Sequence, residues 1–227
     1  MIKPYPLVLK PSYMHYVWGG RRISALFNRQ VENFLNAESW EASDREEGMT
    51  FIENGPLKGK SLRDVLLHYP DFMTLSPLIR FPLLIKLIDA DKPLSIQVHP
   101  NDQNAFHFGG EAKSEMWHIL QADPESRIYL GLKKRLSDDE IKMAIEEEAL
   151  EQYMNEIPVE KGQTFYIPGG LLHSIGKGCL IYEVQQNSNT TYRLYDWGRK
   201  DEEGKSRPLH IEKALQVMLK DQQIVAH

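Results

Sequence analysis

The chain has 227 residues, 41% hydrophobic and 26% charged, an ordinary globular composition that suits one domain with embellishments. Its formal net charge of −5, from 27 basic and 32 acidic side chains, gives no electrostatic reason to expect nucleic acid or an anionic membrane as partner. A single cysteine, Cys179, excludes an intrachain disulfide, fits a reducing compartment and lies in an apolar stretch as core packing. The longest apolar run, Phe81 to Ala90, is interrupted by Lys86 and Asp89 and falls short of the roughly 18 residues that a membrane helix needs. Met1 to Pro6 has prolines and no apolar core, so no secretory signal is expected and the chain is read as cytoplasmic.

Pro4 to Pro11 is expected to be extended, Val17 to Gly20 a turn, Arg21 to Phe27 a short helix and Ser39 to Ser43 a strand. Ser61 is a plausible N-cap for a helix over Leu62 to His68, where Leu62, Val65 and Leu66 share a face and Pro70 follows. Short apolar runs then succeed one another at 82–90, 94–99, 115–121 and 127–132, the pattern of an antiparallel β architecture. Ser137-Asp138-Asp139-Glu140 is a capping box that opens a helix reaching about Tyr153, with Glu146, Glu147 and Glu148 on its solvated face. Strands are expected again at 162–168, 171–175, 179–186 and 191–195, a helix at 211–219, and frayed residues from Asp221 to His227. No internal repeat or flexible linker divides the two β-rich blocks. One barrel or sandwich built from both therefore fits better than two domains.

Three short segments carry candidate chemistry. In Ser95-Ile96-Gln97-Val98-His99-Pro100, residues two apart on a strand share a face, so Gln97 and His99 project together while Ile96 and Val98 pack the other way. Glu115 opens an otherwise apolar strand, with Lys113 two residues earlier on the same face. Pro168-Gly169-Gly170 turns the chain into a strand that aims His173 at the barrel interior. Singly, each has a plain structural explanation: a solvent face, an edge carboxylate, a satisfied core histidine. Together, two imidazoles, a carboxylate and an amide form an N/O ligand set suited to zinc or a similar divalent ion, with room for water or substrate. Arg193 and Lys113 add cations suited to an anionic or phosphorylated ligand, although an ion pair on the surface accounts equally for Arg193 taken alone.

Phe81 to Ala90 leading into Leu94-Ser95-Ile96-Gln97-Val98-His99-Pro100-Asn101-Asp102, then Lys113-Ser114-Glu115-Met116-Trp117, Ile167 to His173, and Thr190-Thr191-Tyr192-Arg193-Leu194-Tyr195-Asp196 closely resemble type I mannose-6-phosphate isomerases. The resemblance runs from about Pro11 to about Lys220, with the motifs in the family's order. It implies a mainly β fold, a cupin-type antiparallel β-barrel or jelly roll, decorated by helices near 61–69 and 137–153 in a single domain over 1–227. It also implies Zn2+ held by Gln97, His99, Glu115 and His173, a catalytic Arg193, and Lys113 in the substrate site. Two departures are noted. The further β-domain that longer members carry after the last helix is expected to be absent, and Asn189 stands where the family often has Asp, so Asn189 is left out of the catalytic set.

The expected reaction interconverts mannose 6-phosphate and fructose 6-phosphate through an enediol. Arg193 would stabilise the enediolate, and Lys113 would hold the phosphate or serve as base. The competing readings are a non-catalytic metal-containing sugar-phosphate-binding protein and an iron oxygenase built on His99, Glu115 and His173. Gln97 as a fourth ligand and the sugar-phosphate cations argue against the oxygenase. The partner is expected to be a small-molecule sugar phosphate. The sequence leaves the oligomeric state open.

Overall fold

A computed structural model describes residues 2–29, 35–72, 80–200 and 203–219. The elements in chain order are β1 (Leu9–Lys10), β2 (Ser12–Met14), α1 (Arg22–Leu26), β3 (Glu38–Ala42), β4 (Phe51–Ile52), α2 (Leu62–His68), β5 (Leu83–Ala90) and β6 (Ile96–Val98). They continue with β7 (Glu115–Ala122), β8 (Arg127–Leu132), α3 (Asp138–Glu146), β9 (Met154–Pro158), β10 (Thr164–Ile167), β11 (His173–Ile175), β12 (Cys179–Gln186), β13 (Tyr192–Tyr195) and α4 (Ile211–Val217). A six-stranded sheet in the order β10-β7-β12-β5-β3-β2 faces a five-stranded sheet in the order β13-β6-β11-β8-β9, and β1 pairs with β4. Every strand pairing among the described residues is antiparallel. This is the expected helix-decorated cupin-type barrel.

Alternation along the strands sorts the side chains. On β7, Glu115, Trp117 and Ile119 are buried while Met116, His118 and Leu120 are partly exposed; on β12, Cys179, Ile181, Glu183 and Gln185 are buried. Between the sheets, Ile88, Trp117, Ile119 and Ile181 from one wall meet Ile128, Leu130 and Ile175 from the other. The five-stranded sheet turns its outer face to α3 and α4, where Ile96 and Val98 pack with Ile141, Ile145, Ala214 and Leu215. Gln97, between them in sequence, therefore has to point inward, as the alternation predicts. Burying apolar side chains on both faces stabilises this sheet at roughly 25 cal/mol per Å² removed from water, and fixes its register against slippage by one residue.

Two helix starts match their sequence signals. Ser61 and Ser137 each accept a hydrogen bond from the third helical residue, Asp64 or Glu140, whose carboxylate bonds back to the cap backbone. The end of α3 differs from expectation. The helix stops at Glu146, and the residues up to Tyr153 form a separate turn before β9. Glu148 sits in the left-handed region at φ 52°, its N–H bonding Ile145 O (3.1 Å) while Ala149 N–H reaches Ala144 O (2.9 Å). That is a Schellman stop made without glycine, which no sequence signal announced. The last helix ends at Val217 rather than Leu219, and the expectation for Asp221 to His227 lies outside the described residues. Among the described residues no helix is long and apolar enough to cross a membrane.

Candidate metal centre and its cavity

Three strands and a turn bring the candidate ligands together inside the barrel. His173 on β11 pairs across the sheet with Gln97 on β6, His99 follows one residue beyond that strand, and Glu115 opens β7 on the opposite wall. The Nε2 of His99 lies 3.1 Å from Glu115 Oε1, and the Nε2 of His173 lies 3.8 Å from Glu115 Oε2. All three residues are buried, and their ligand atoms lie within 4.8 Å of one another. Gln97, half-buried, places its amide nitrogen 3.4 Å from His173 Nε2. Turning that amide over presents Oε1 at the same point, with Ser95 Oγ, now 3.0 Å from Oε1, able to accept instead of donate.

These groups fit a divalent ion. Ligand atoms about 2.1 Å from a tetrahedral zinc lie about 3.4 Å apart, and the separations of 3.1, 3.4 and 3.8 Å found here bracket that spacing. Both imidazoles are fixed in the tautomer that a metal needs. His99 Nδ1–H donates to Thr190 O at 2.8 Å and His173 Nδ1–H donates to Leu171 O at 2.8 Å, leaving each Nε2 lone pair facing the centre. Burial, assisted by the charge of Lys113, pushes His99 down to about 3, and burial lowers His173, so both rings are neutral near pH 7. Burial opposes ionisation of Glu115, but the adjacent Lys113 ammonium outweighs it and holds the carboxyl well below the usual range. Trp117 Nε1–H donates to Glu115 Oε2 at 3.0 Å and orients it.

The sequence-predicted cations go to different places. Lys113 Nζ lies 2.6 Å from Glu115 Oε1 and 3.3 Å from His99 Nε2, at the ligand cluster itself. Arg193 pairs across the sheet with Gln97 and donates from Nε to Ser95 Oγ (3.2 Å), the hydroxyl that contacts Gln97. Both line a cavity of about 240 Å3 together with Gln97, Glu115 and Trp117, and Asn189 is exposed on its wall.

The structure adds groups that the motif reading passed over. Lys86 on β5 is buried with Nζ 3.2 Å from Glu38 Oε2 and 3.7 Å from Glu183 Oε1, and all three line the cavity. Burial lowers Lys86, but the carboxylates of Glu183 and Glu38 outweigh it and raise the ammonium above its ordinary value. Burial and the charge of Glu115 push Glu183 up to about 8. A signal existed for two of the three: a charge inside an otherwise apolar strand, Lys86 in 83–90 and Glu183 in 179–186, has to face a polar interior. Arg207 also lines the cavity, and it comes from a segment outside every motif.

The chain is similar to known proteins in sequence and in fold. Residues 7–127 match the family profile described as phosphomannose isomerase type I, catalytic domain. The chain is 39% identical over 215 residues to the mannose-6-phosphate isomerase ManA of Bacillus subtilis, covering 94% of this chain and 68% of that protein. It superposes on a crystal structure of mannose 6-phosphate isomerase from Bacillus subtilis with a TM-score of 0.90 at 32% identity, over 97% of this chain and 71% of that one. A zinc-bound mannose 6-phosphate isomerase shares the fold, with a TM-score of 0.71 at 14% identity over 96% of this chain and 75% of that one.

Proposed function

Because this chain belongs to the type I phosphomannose isomerase family, we propose that its cavity interconverts mannose 6-phosphate and fructose 6-phosphate with zinc held by Gln97, His99, Glu115 and His173. The observation that carries this reading is the convergence of two Nε2 lone pairs on the Glu115 carboxylate, each ring locked by its Nδ1–H on a backbone carbonyl. Zinc bound there supplies Lewis-acid polarisation of the sugar oxygens at C1 and C2.

The chain's own residues supply the rest. Moving a proton between C2 and C1 requires a group that takes it from carbon and returns it one carbon away. Lys113 is the first candidate, since its Nζ stands at the ligand carboxylate and lines the cavity. Glu183 is the second proton carrier, because a buried carboxyl pushed up to about 8 both holds and releases a proton near neutrality. Arg193, half-buried and steadied by Ser95 Oγ and by Pro208 O (2.9 Å), brings positive charge toward the oxygen that becomes negative in the enediolate. One barrel holds the ligands, proton carriers and cations, so the chain works as a single catalytic unit. The cations in a small cavity support a sugar phosphate as the partner, and the single buried cysteine fits a cytoplasmic setting.

The test is turnover of mannose 6-phosphate by the purified protein, with coupled detection of fructose 6-phosphate. Activity lost on chelation and restored by zinc supports the reading. A zinc-loaded, folded protein without turnover overturns it.

A further inference from the structure

Where β13 ends, Asp196 is buried at the centre of an arginine cluster. Its Oδ2 accepts from Arg207 Nε (2.8 Å), and its Oδ1 accepts from Arg207 Nη2 (2.6 Å) and Arg199 Nη2 (2.5 Å). The turn that carries it is fixed to the framework: Arg199 Nη1 donates to Pro93 O (2.6 Å) and Trp197 Nε1 donates to Leu94 O (2.7 Å). Those carbonyls belong to the two residues before Ser95, so Asp196 is tied to the entry of the strand that carries Gln97. Burial raises the Asp196 carboxyl, but the hydrogen bonds from Arg207 and Arg199 outweigh it and keep the group ionised.

The consequence falls on Arg207. A bidentate fork through Nε and Nη2 is rigid and leaves Nη1 unengaged by Asp196, and Arg207 lines the cavity together with Arg193. Arg193 is lowered by burial and by the charge of Arg207, the mark of two guanidiniums sharing a poorly solvated wall. Like charges held together in this way are relieved by a dianion. Lys113 and Lys86, the other cations on the cavity wall, are engaged by Glu115, Glu38 and Glu183.

We propose that Asp196 is a positioning residue for phosphate recognition: by holding Arg207 in a two-bond fork it aims the free side of that guanidinium at the terminal phosphate of the substrate, next to Arg193, which stays with the reacting oxygens. This rests on the isomerase reading and moves the phosphate from Lys113, for which holding it was one of two expected roles, to Arg207.

The measurement is the ratio of kcat/KM for mannose 6-phosphate to that for unphosphorylated mannose, in the zinc-loaded wild type and in Asp196→Asn. The variant keeps the side chain's size but cannot accept both bonds of the fork. The ratio is expected to fall about tenfold, through KM rather than kcat, and competitive inhibition by inorganic phosphate to weaken in parallel. An unchanged ratio, or equal loss on both sugars, overturns the proposal. Should Asp196→Asn fail to fold, Arg207→Gln at a 29% exposed side chain carries the same expectation and the same refutation. Should the wild type turn over neither sugar, the isomerase reading fails separately. Calorimetric titration with inorganic phosphate then decides the clamp: weaker binding by either variant supports it, and equal binding refutes it.

Discussion

Lys113 Nζ lies 2.6 Å from Glu115 Oε1, with both side chains almost wholly out of water at 6% and 2% exposure. An ammonium and a carboxylate buried this closely depend on one another, because either one alone keeps its desolvation cost without the attraction that offsets it. Glu115 also faces both imidazoles, so the two members of the pair differ in what they control. Glu115→Gln is expected to abolish stoichiometric zinc, read by metal analysis, and to lower stability by about 3–5 kcal/mol by leaving Lys113 unpaired. Lys113→Met is expected to retain zinc while kcat falls about 10²–10⁴-fold. Zinc loss in Lys113→Met with normal zinc in Glu115→Gln would reverse these assignments.

Lys86 joins two walls of the six-stranded sheet, since Glu38 stands on β3 and Glu183 on β12, its two neighbours in the sheet. Trp40 Nε1–H donates to Glu38 Oε2 at 2.7 Å and holds that carboxylate in place. Replacing Lys86 with Met keeps the length of the side chain and removes the charge, which leaves two buried carboxyl groups facing each other. The expected loss is about 3–5 kcal/mol by denaturant unfolding. Combining Lys86→Met with Glu38→Gln should recover part of it, because the second change removes the repulsion that the first exposes. A double variant as unstable as the sum of the two singles would show that the trio is not coupled.

How far the sequence reaches depends on the kind of signal. The inward projection of Gln97 and His99 was legible because a two-residue period is a geometric property of any strand, and Ile96 and Val98 supplied the matching outward face. The arrival of His173 and Glu115 at the same point was suggested by the donor set and specified by the resemblance, since spacing along the chain does not say which strands become neighbours. Lys86 and Glu183 were visible as charges in apolar strands, yet their mutual pairing depends on the β5–β12 register, which is a tertiary property. Arg207 was not legible at all. Eleven residues after Asp196 and outside any regular element, it reaches the cavity through a loop whose path no periodicity encodes.

The end of α3 was misjudged for a related reason, and it yields a prediction of its own. Glu148 adopts φ 52° with its side chain exposed, a conformation that costs a residue with a Cβ about 1 kcal/mol or more and costs glycine little. Glu148→Gly should therefore raise stability by about 0.5–1 kcal/mol, even though glycine is more flexible in the unfolded chain. Glu147→Gly, one residue earlier with φ −79°, should lower it. Thermal unfolding of the two variants side by side checks the sign of each.

The buried ionisable groups also set how the metal-free protein responds to pH. His99 is pushed down to about 3 from an ordinary 6.5 by burial and Lys113, and His173 is lowered from the same value by burial. Below pH 6.5 the unfolded chain binds protons that the native state refuses, so their contribution is complete above pH 6.5 and is lost as the pH falls toward the folded values. Glu183 acts in the opposite sense. Raised from 4.5 to about 8, it binds a proton in the native state that the unfolded chain has released, and its contribution is lost as the pH rises through that window. Just below 6.5 the two histidines together outweigh the single carboxyl, and above 6.5 the carboxyl acts alone. Stability of the metal-free protein should therefore peak near pH 6.5, with a steep acid limb and a shallower decline toward pH 8. Denaturation midpoints from about pH 4 to about pH 9 trace this curve, and Glu183→Gln should flatten its alkaline side and steepen the rise between 4.5 and 6.5. An alkaline limb unchanged in that variant would mean that another group carries the decline.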